Sequence, residues 1–401
     1  MKGTIRKFRL HGFVMTASAL LVSWLSPSYA LADDCAGKPY ACAKNVPYAK
    51  EFLVTDLRQD WVDHPNENPG DCSRDDFDHY AQVQSYNVHN MDIYYPRNHK
   101  SKRKVIFFIH GGGWMDNYKE RYEYVANVFT GEKGWVTVVI NFRSTSDKVF
   151  KASTCPTKAA CAGRKKPNGW AKSGSRYTKD SKSAWFPDNL NDVADAMRWV
   201  LANIANSPYK GDPNNIFILG HSSGAHLGTL LAVRPDFGMQ KKIAGVISMS
   251  GVFSLKDMPW KTYGWYLDHL FKGCGHHNEP PCSDAVLAKA SPITYIKPSN
   301  PVPPMLIMYA QGELPGFDQQ SKSFSRAMTS AAQRADLVFL SAFDHSTEIE
   351  ALAYNSSNEP KVTAQGSKAK ECLWQFGPNP KPAGYVNPTD RIVRWVESRA
   401  R

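Results

Sequence analysis

Six short, almost unbroken apolar runs constrain what this chain can fold into more than any other feature. They occupy residues 105–109 (Val-Ile-Phe-Phe-Ile), 135–140, 216–219, 243–247, 305–309 and 337–340. A strand with one wetted face alternates apolar and polar residues. A strand buried on both faces reads as a continuous run, and such strands belong to parallel sheets covered on both sides. Helical patterns lie between the runs. Over 188–206, Leu190, Val193, Met197, Val200, Leu201 and Ile204 fall on one face at spacings of three and four, and 320–334 and 390–399 read as further helices. This alternation predicts an α/β class with a mostly parallel central sheet flanked by helices. Residues 146–182 and 354–388 break the rhythm and read as insertions. The first holds ten Lys or Arg against two acidic residues, as a solvated surface loop or a basic lid would.

The first 32 residues have another character. Lys2, Arg6, Lys7 and Arg9 stand without an acidic residue, an apolar run extends from Phe13 to about Leu25, and small residues follow at Ala30 and Ala32. This is the pattern of a secretory signal peptide. The run is shorter than the ~20 residues that span a bilayer, so cleavage after Ala32, a secreted or periplasmic destination and no stable membrane anchor are expected. Cleavage would remove four positive charges and take the net charge from +12 to +8. That excess, without a nucleic-acid-binding motif, gives no reason to expect a nucleic-acid partner. All eight cysteines (35, 42, 72, 155, 161, 274, 282 and 372) follow residue 32. An even count in an oxidising compartment argues for disulfides, and no pair has zinc-site spacing. Cys35/Cys42, Cys155/Cys161 and Cys274/Cys282 are close in sequence; local bridging would leave Cys72 and Cys372, so the insertions read as disulfide-stapled.

Two motifs follow two of the buried runs. Gly220-His221-Ser222-Ser223-Gly224 stands between the run 216–219 and a helical stretch beginning Ala225-His226-Leu227. A serine nucleophile at the tip of a strained strand-to-helix turn needs small neighbours, and the helix start directs N–H groups toward developing negative charge. His110-Gly111-Gly112-Gly113-Trp114 follows the run 105–109. Its unobstructed amides suit the oxyanion of a tetrahedral intermediate; it matches neither the phosphate-loop nor the dinucleotide pattern.

With these motifs the chain resembles α/β-hydrolase esterases of the carboxylesterase and feruloyl-esterase-like group, neighbours of hormone-sensitive-lipase-type enzymes and kynurenine formamidases. The resemblance runs from about Asp92 to the C-terminus. It takes in Asp92-Ile93-Tyr94-Tyr95-Pro96, the HGGGW segment, Asn141-Phe142-Arg143, Phe186-Pro187-Asp188, Asp212-Pro213-Asn214-Asn215, GHSSGAHL at 220–227 and Ser291-Pro292. It implies an α/β-hydrolase catalytic domain over 76–401, with 33–75 as an N-terminal extension. It also implies an oxyanion hole from the N–H groups of Gly112, Gly113 and Ser223, with His110 supporting the loop.

The acid and the base should follow the nucleophile in the order Ser, acid, His. His345, shortly after the run 337–340, occupies the family's position for the general base. His276 and His277 break the order, and His221 and His226 lie too near Ser222 in sequence. After the run 305–309 the family's acid position falls on Pro315. Counting back from Gln320-Ser321 on a shortened loop brings Glu313 to that slot, with Asp318 the alternative acid and Asp257 third. The expected activity is a serine carboxylic-ester hydrolase acting on a small-molecule ester through an acyl-enzyme on Ser222, a mechanism that needs no metal or organic cofactor. Alternatives are amide, formamide or peptide hydrolysis on the same fold, or a non-catalytic binding protein. The aromatic cluster at 259–271 suits either a pocket wall for an aromatic or alkyl acyl group or an ordinary core helix.

Overall fold

Every one of the six apolar runs falls within or overlaps a strand of a single sheet. The computed structural model describes residues 35–50, 53–56, 84–115, 117–145, 184–271, 274, 282–353 and 384–400. Their strands are β1 (Tyr40–Pro47), β2 (Leu53–Asp56), β3 (Gln84–Asn87), β4 (Asn90–Pro96), β5 (Arg103–Ile109), β6 (Val136–Ile140), β7 (Gly211–His221), β8 (Gly245–Met249), β9 (Met305–Gly312) and β10 (Ala335–Asp344). Eight of them form one sheet in the order β1-β4-β6-β5-β7-β8-β9-β10, and β2 pairs separately with β3. From β6 to β10 all neighbours are parallel. β4 runs antiparallel to β6, and β1 antiparallel to β4.

Tyr40–Pro47 lies in the stretch expected to be an extension, yet it supplies an edge of the main sheet. Its register is set by a partner far along the chain, Tyr40 facing Pro96 and Ala43 facing Ile93, which local pattern does not announce. Cys42 within this strand is bridged to Cys35, and Cys274 to Cys282. The other four cysteines, residues 1–32, the insertion 146–182 and most of 354–388 lie outside the described residues. Among the described residues no helix is long and apolar enough to cross a membrane.

The longer helices among the described residues are α1 (Asp188–Asn203), α2 (Ser223–Val233), α3 (Trp260–Leu270), α4 (Phe317–Ser330) and α5 (Pro388–Arg399). The helix expected at 320–334 starts earlier, after left-handed Gly316 at φ 86°, and ends earlier, before left-handed Ala332 at φ 55°, which releases the chain into β10. Two cores result, one on each face of the sheet. Along β5, Val105, Phe107 and Ile109 enter the core that holds Leu190, Val193 and Met197 of α1. Ile106 and Phe108 enter the other, with Ile392 and Val396 of α5. Opposite-facing residues in two dry cores are the physical content of an unbroken apolar run.

One buried polar cluster braces the antiparallel margin. Lys119 Nζ lies 2.8 Å from Asp92 Oδ1, 2.7 Å from Glu120 Oε1 and 2.8 Å from Asn45 Oδ1. It joins β1 and β4 to the segment that follows the glycine loop. Removing one member of such a buried pair costs about 3–5 kcal/mol, because the other charge is stranded.

Candidate active site

Strand order decides which loops meet. The chain passes from β5 outward to β6 and returns across it to β7, so β5 and β7 are parallel neighbours, with Ile109 facing Gly220 at their carboxyl ends. In open α/β sheets ligands bind at such a reversal. The loop 110–114 and the turn 220–224 are therefore brought side by side.

Ser222 occupies that turn at φ 52°, ψ −119°, a conformation costing on the order of 1–3 kcal/mol for a residue with a side chain. The surroundings hold it there. Its N–H donates to the Met249 carbonyl at 2.9 Å, and its carbonyl accepts from the His226 N–H at 3.0 Å. The turn can press against β5 only because residue 224 is glycine. A Cβ at Gly224 would lie 2.2 Å from the Ile109 carbonyl oxygen and 2.3 Å from that of His110.

From this perch Ser222 Oγ reaches His345 Nε2 at 3.0 Å. His345 follows β10, and its Nδ1 lies 2.9 Å from Glu313 Oε2. A carboxylate can only accept, so Nδ1 carries the proton and Nε2 presents its lone pair to the serine. Glu313 also accepts from the Ser250 hydroxyl and the Ala310 N–H at Oε1, and from the Leu314 N–H at Oε2. Asp318 does not come to His345. It sits in the first turn of α4, 2.9 Å from Lys322 Nζ. Asp257 is exposed on the loop after β8.

Gly112, Gly113 and Trp114 have φ of 125°, 61° and 62°, and the loop starts hard against the nucleophile turn, since a Cβ at Gly111 would lie 3.1 Å from Ser222 Cβ. His110 is buried and stacked on Phe142 at 4.5 Å; it supports the loop from behind. The aromatic cluster divides between its two expected uses. Tyr263, Leu267, Leu270 and Phe271 are buried, whereas half-exposed Tyr266 lies across Gly113, where a Cβ would meet its ring at 2.5 Å. Tyr263 packs on Phe317, and Phe317 meets the His345 imidazole edge-on at 5.1 Å. The helix thus serves as core on one face and as an aromatic margin of the site on the other.

Residues 91–162 and 167–328, more than half of the chain, match the BD-FAE family model. The chain belongs to the BD-FAE family. The matched residues include the glycine loop, the Ser222 turn and Glu313, and end before His345. Among curated relatives of this BD-FAE member, esterase LipQ of Mycobacterium tuberculosis is 28% identical over 243 residues, 57% of this chain and 46% of LipQ. The probable carboxylic ester hydrolase LipM of the same organism is 25% identical over 228 residues, 55% of this chain and 43% of LipM. The chain therefore spans less than half the length of either. Esterase B from Lactobacillus rhamnosis superposes with a TM-score of 0.51 at 14% identity, covering 90% of this chain and 89% of that one. A truncated carbohydrate esterase from gut microbiota gives 0.50 at 18%, covering 77% and 91%. These likenesses show the α/β-hydrolase fold.

Two titratable residues beside the site of this BD-FAE protein carry no signal in the sequence. Glu348, three residues after His345, is fully buried, and neither carboxylate oxygen has a hydrogen-bond partner among the described residues. It faces the Ser250 hydroxyl, and His221 Nε2 lies 3.7 Å away. Burial, then the charge of Glu313, raises its pKa well above the usual carboxylate range. Glu313 collects four donors, the Ser250 hydroxyl among them, whereas burial and its neighbour's charge favour the protonated form of Glu348. His221 is buried as well, with its pKa lowered to about 3 by burial and by His345. Its Nε2–H donates to the His345 carbonyl at 2.7 Å. Neither residue can be found from spacing, because burial of a polar side chain leaves no local pattern.

Proposed function

We propose that this chain is a secreted or periplasmic serine hydrolase that cleaves carboxylic esters of small molecules through an acyl-enzyme on Ser222. The observation that carries the reading is the continuous chain of contacts from Ser222 Oγ through the His345 imidazole to Glu313, beside a glycine loop packed against the Ser222 turn at Gly111. His345 Nε2 takes the Ser222 proton as Oγ attacks the acyl carbon. The negative charge on the former carbonyl oxygen falls to the N–H groups of Gly112, Gly113 and Ser223. The C–O bond then breaks, and the alcohol leaves with the proton held on Nε2. Water, deprotonated by the same nitrogen, adds to the acyl-enzyme, and the acid is released as Ser222 regains its proton. Glu313 holds the tautomer and stabilises the imidazolium. Tyr266 and Phe317 form an aromatic margin suited to an aromatic or alkyl acyl group. Residues 1–32 would be removed on export.

The test is hydrolysis of 4-nitrophenyl esters of increasing acyl length, with an aryl amide alongside, by the wild type and Ser222→Ala. Ester turnover that Ser222→Ala lowers by at least about 10³-fold, and labelling of Ser222 by a fluorophosphonate, are expected. Wild-type turnover no faster than that of Ser222→Ala would sink the reading. Preferential cleavage of the amide would move the activity to the amidase class on the same residues.

A further inference from the structure

His226 lies one helical turn after Ser222 and is fully buried, and both of its ring nitrogens are engaged. Nδ1 receives the indole N–H of Trp114 at 3.0 Å, and Nε2 meets the carbonyl of Ala290 at 2.6 Å. The carbonyl can only accept and the indole can only donate. One tautomer, protonated at Nε2, satisfies both. The backbone N–H of the same residue donates to the Ser222 carbonyl. His226 therefore touches the nucleophile turn through its main chain and the glycine loop through its side chain.

The loop needs such a hold. Strand pairing aligns β5 with β7 as far as Ile109 and Gly220; beyond that point no ladder fixes residues 110–114 against α2. Of the three consecutive left-handed residues at 112–114, Trp114 alone has a side chain, and for such a residue this conformation is unfavourable without outside support. Its carbonyl accepts the Thr145 N–H at 2.8 Å, and its indole is seated edge-on against the His226 ring at 5.2 Å.

We propose that the Trp114–His226 hydrogen bond is a latch that keeps the amides of Gly112 and Gly113 in register with Ser222 Oγ, which makes His226 a positioning residue for the oxyanion site. This rests on reading Ser222 as the nucleophile and those amides as oxyanion donors. The latch acts on catalysis more than on binding, because the amides face charge that develops only on the way to the tetrahedral intermediate. A histidine that merely filled space would leave the hydrogen-bonding atom at the Nδ1 position irrelevant.

The experiment compares the full chain with Trp114→Phe, His226→Gln, His226→Asn and the double variant Trp114→Phe/His226→Gln, on a 4-nitrophenyl ester, with thermal unfolding of each. Trp114→Phe keeps a ring and deletes the N–H, so it is informative even where a His226 variant fails to fold. Gln offers an amide near the Nε2 position and nothing at Nδ1, whereas the Asn oxygen falls near Nδ1 and can accept the indole N–H. Trp114→Phe and His226→Gln should each lower kcat roughly 10–100-fold, the range for displaced transition-state groups, with KM within about threefold. The double variant should be no worse than the worse single one, and His226→Asn should recover most of the loss. A folded Trp114→Phe with kcat within about twofold of wild type, multiplying effects in the double variant, or Asn no better than Gln would each overturn the latch while leaving ester hydrolysis intact. A wild type without Ser222-dependent turnover would overturn the site reading and the latch together.

Discussion

Around Ser222, position is set by atoms that cannot overlap: the turn presses on β5 so closely that a single methyl group at Gly224 would enter two carbonyl oxygens. Around Glu313, position is set by charge and donors: four donors converge on one carboxylate while a second, at Glu348, is kept protonated by burial and by its neighbour's charge. The first kind of constraint tolerates almost no change of shape. The second tolerates a change of loop length or of carboxylate, provided one anion faces Nδ1 of the imidazole. The two sides should therefore respond differently to mutation, one mainly in stability and the other mainly in rate and pH dependence.

The largest effect is expected on the acid side. Glu313→Gln removes the anion while keeping the shape, and kcat should fall about 10³–10⁴-fold, as when a triad acid is replaced by its amide. Asp318→Asn touches a part-buried pairing with Lys322 and a contact with Gln319, both remote from His345, and should stay within about twofold. Steady-state kinetics on one ester decides this, and the reverse ranking would move the acid to Asp318. Next comes the steric side. Gly224→Ala should cost about 3 kcal/mol or more, since neither carbonyl can retreat without breaking the β5–β7 contact. A thermal midpoint within about 1 °C of wild type would show that contact to be looser than described.

Smaller and pH-dependent effects follow. Above about pH 4.5 the unfolded chain ionises Glu348 while the native chain keeps its proton, so this residue's contribution to stability declines as pH rises toward its raised native value. Glu348→Gln, neutral at every pH, should accordingly gain stability over wild type at pH 8 relative to pH 5. The gain should be roughly 1–3 kcal/mol, since each tenfold difference in proton affinity between the native and unfolded chains is worth about 1.4 kcal/mol. Equal differences at both pH values would argue against a protonated Glu348. His221 and His226 act at the other end. Burial lowers their native pKa values to about 3 and about 4. Below about pH 6.5 the unfolded chain therefore binds protons that the native chain refuses, and stability should fall as pH drops from there toward 4. Thermal midpoints between pH 4 and 8 would reveal both limits, and a flat acid limb would count against buried neutral imidazoles.

Much of the steric side is legible in the sequence. Continuous apolar runs betray strands dry on both faces, and glycines around Ser222 betray close backbone approach, because both physical demands leave a compositional mark. The acid side leaves less. Glu313 can be singled out only by counting along a shortened loop, and what separates it from Asp318 is which carboxylate the turn after β9 aims inward. Ser250 and Glu348 have ordinary neighbours in sequence, and His221, though it stands inside the Ser222 motif, has a role set by where it is buried. Tyr40–Pro47 looks like an extension because an antiparallel edge strand borrows its register from a distant partner. His226, too close to Ser222 to be the base, is at the right distance to grip Trp114.

The imidazole of His345 stands at the exit of β10, the outermost strand among the described residues, in which Leu337 and Phe339 are 40% and 46% exposed. Strands with a single neighbour open sooner than interior ones. His221 donates from the residue next to Ser222 to the carbonyl of His345, so the backbone of that histidine is moored to an interior strand. Breathing of the sheet's rim can then proceed without carrying His345 away from Ser222, and in amide exchange the residues of β10 should open on a faster clock than the Ser222–His345 contact.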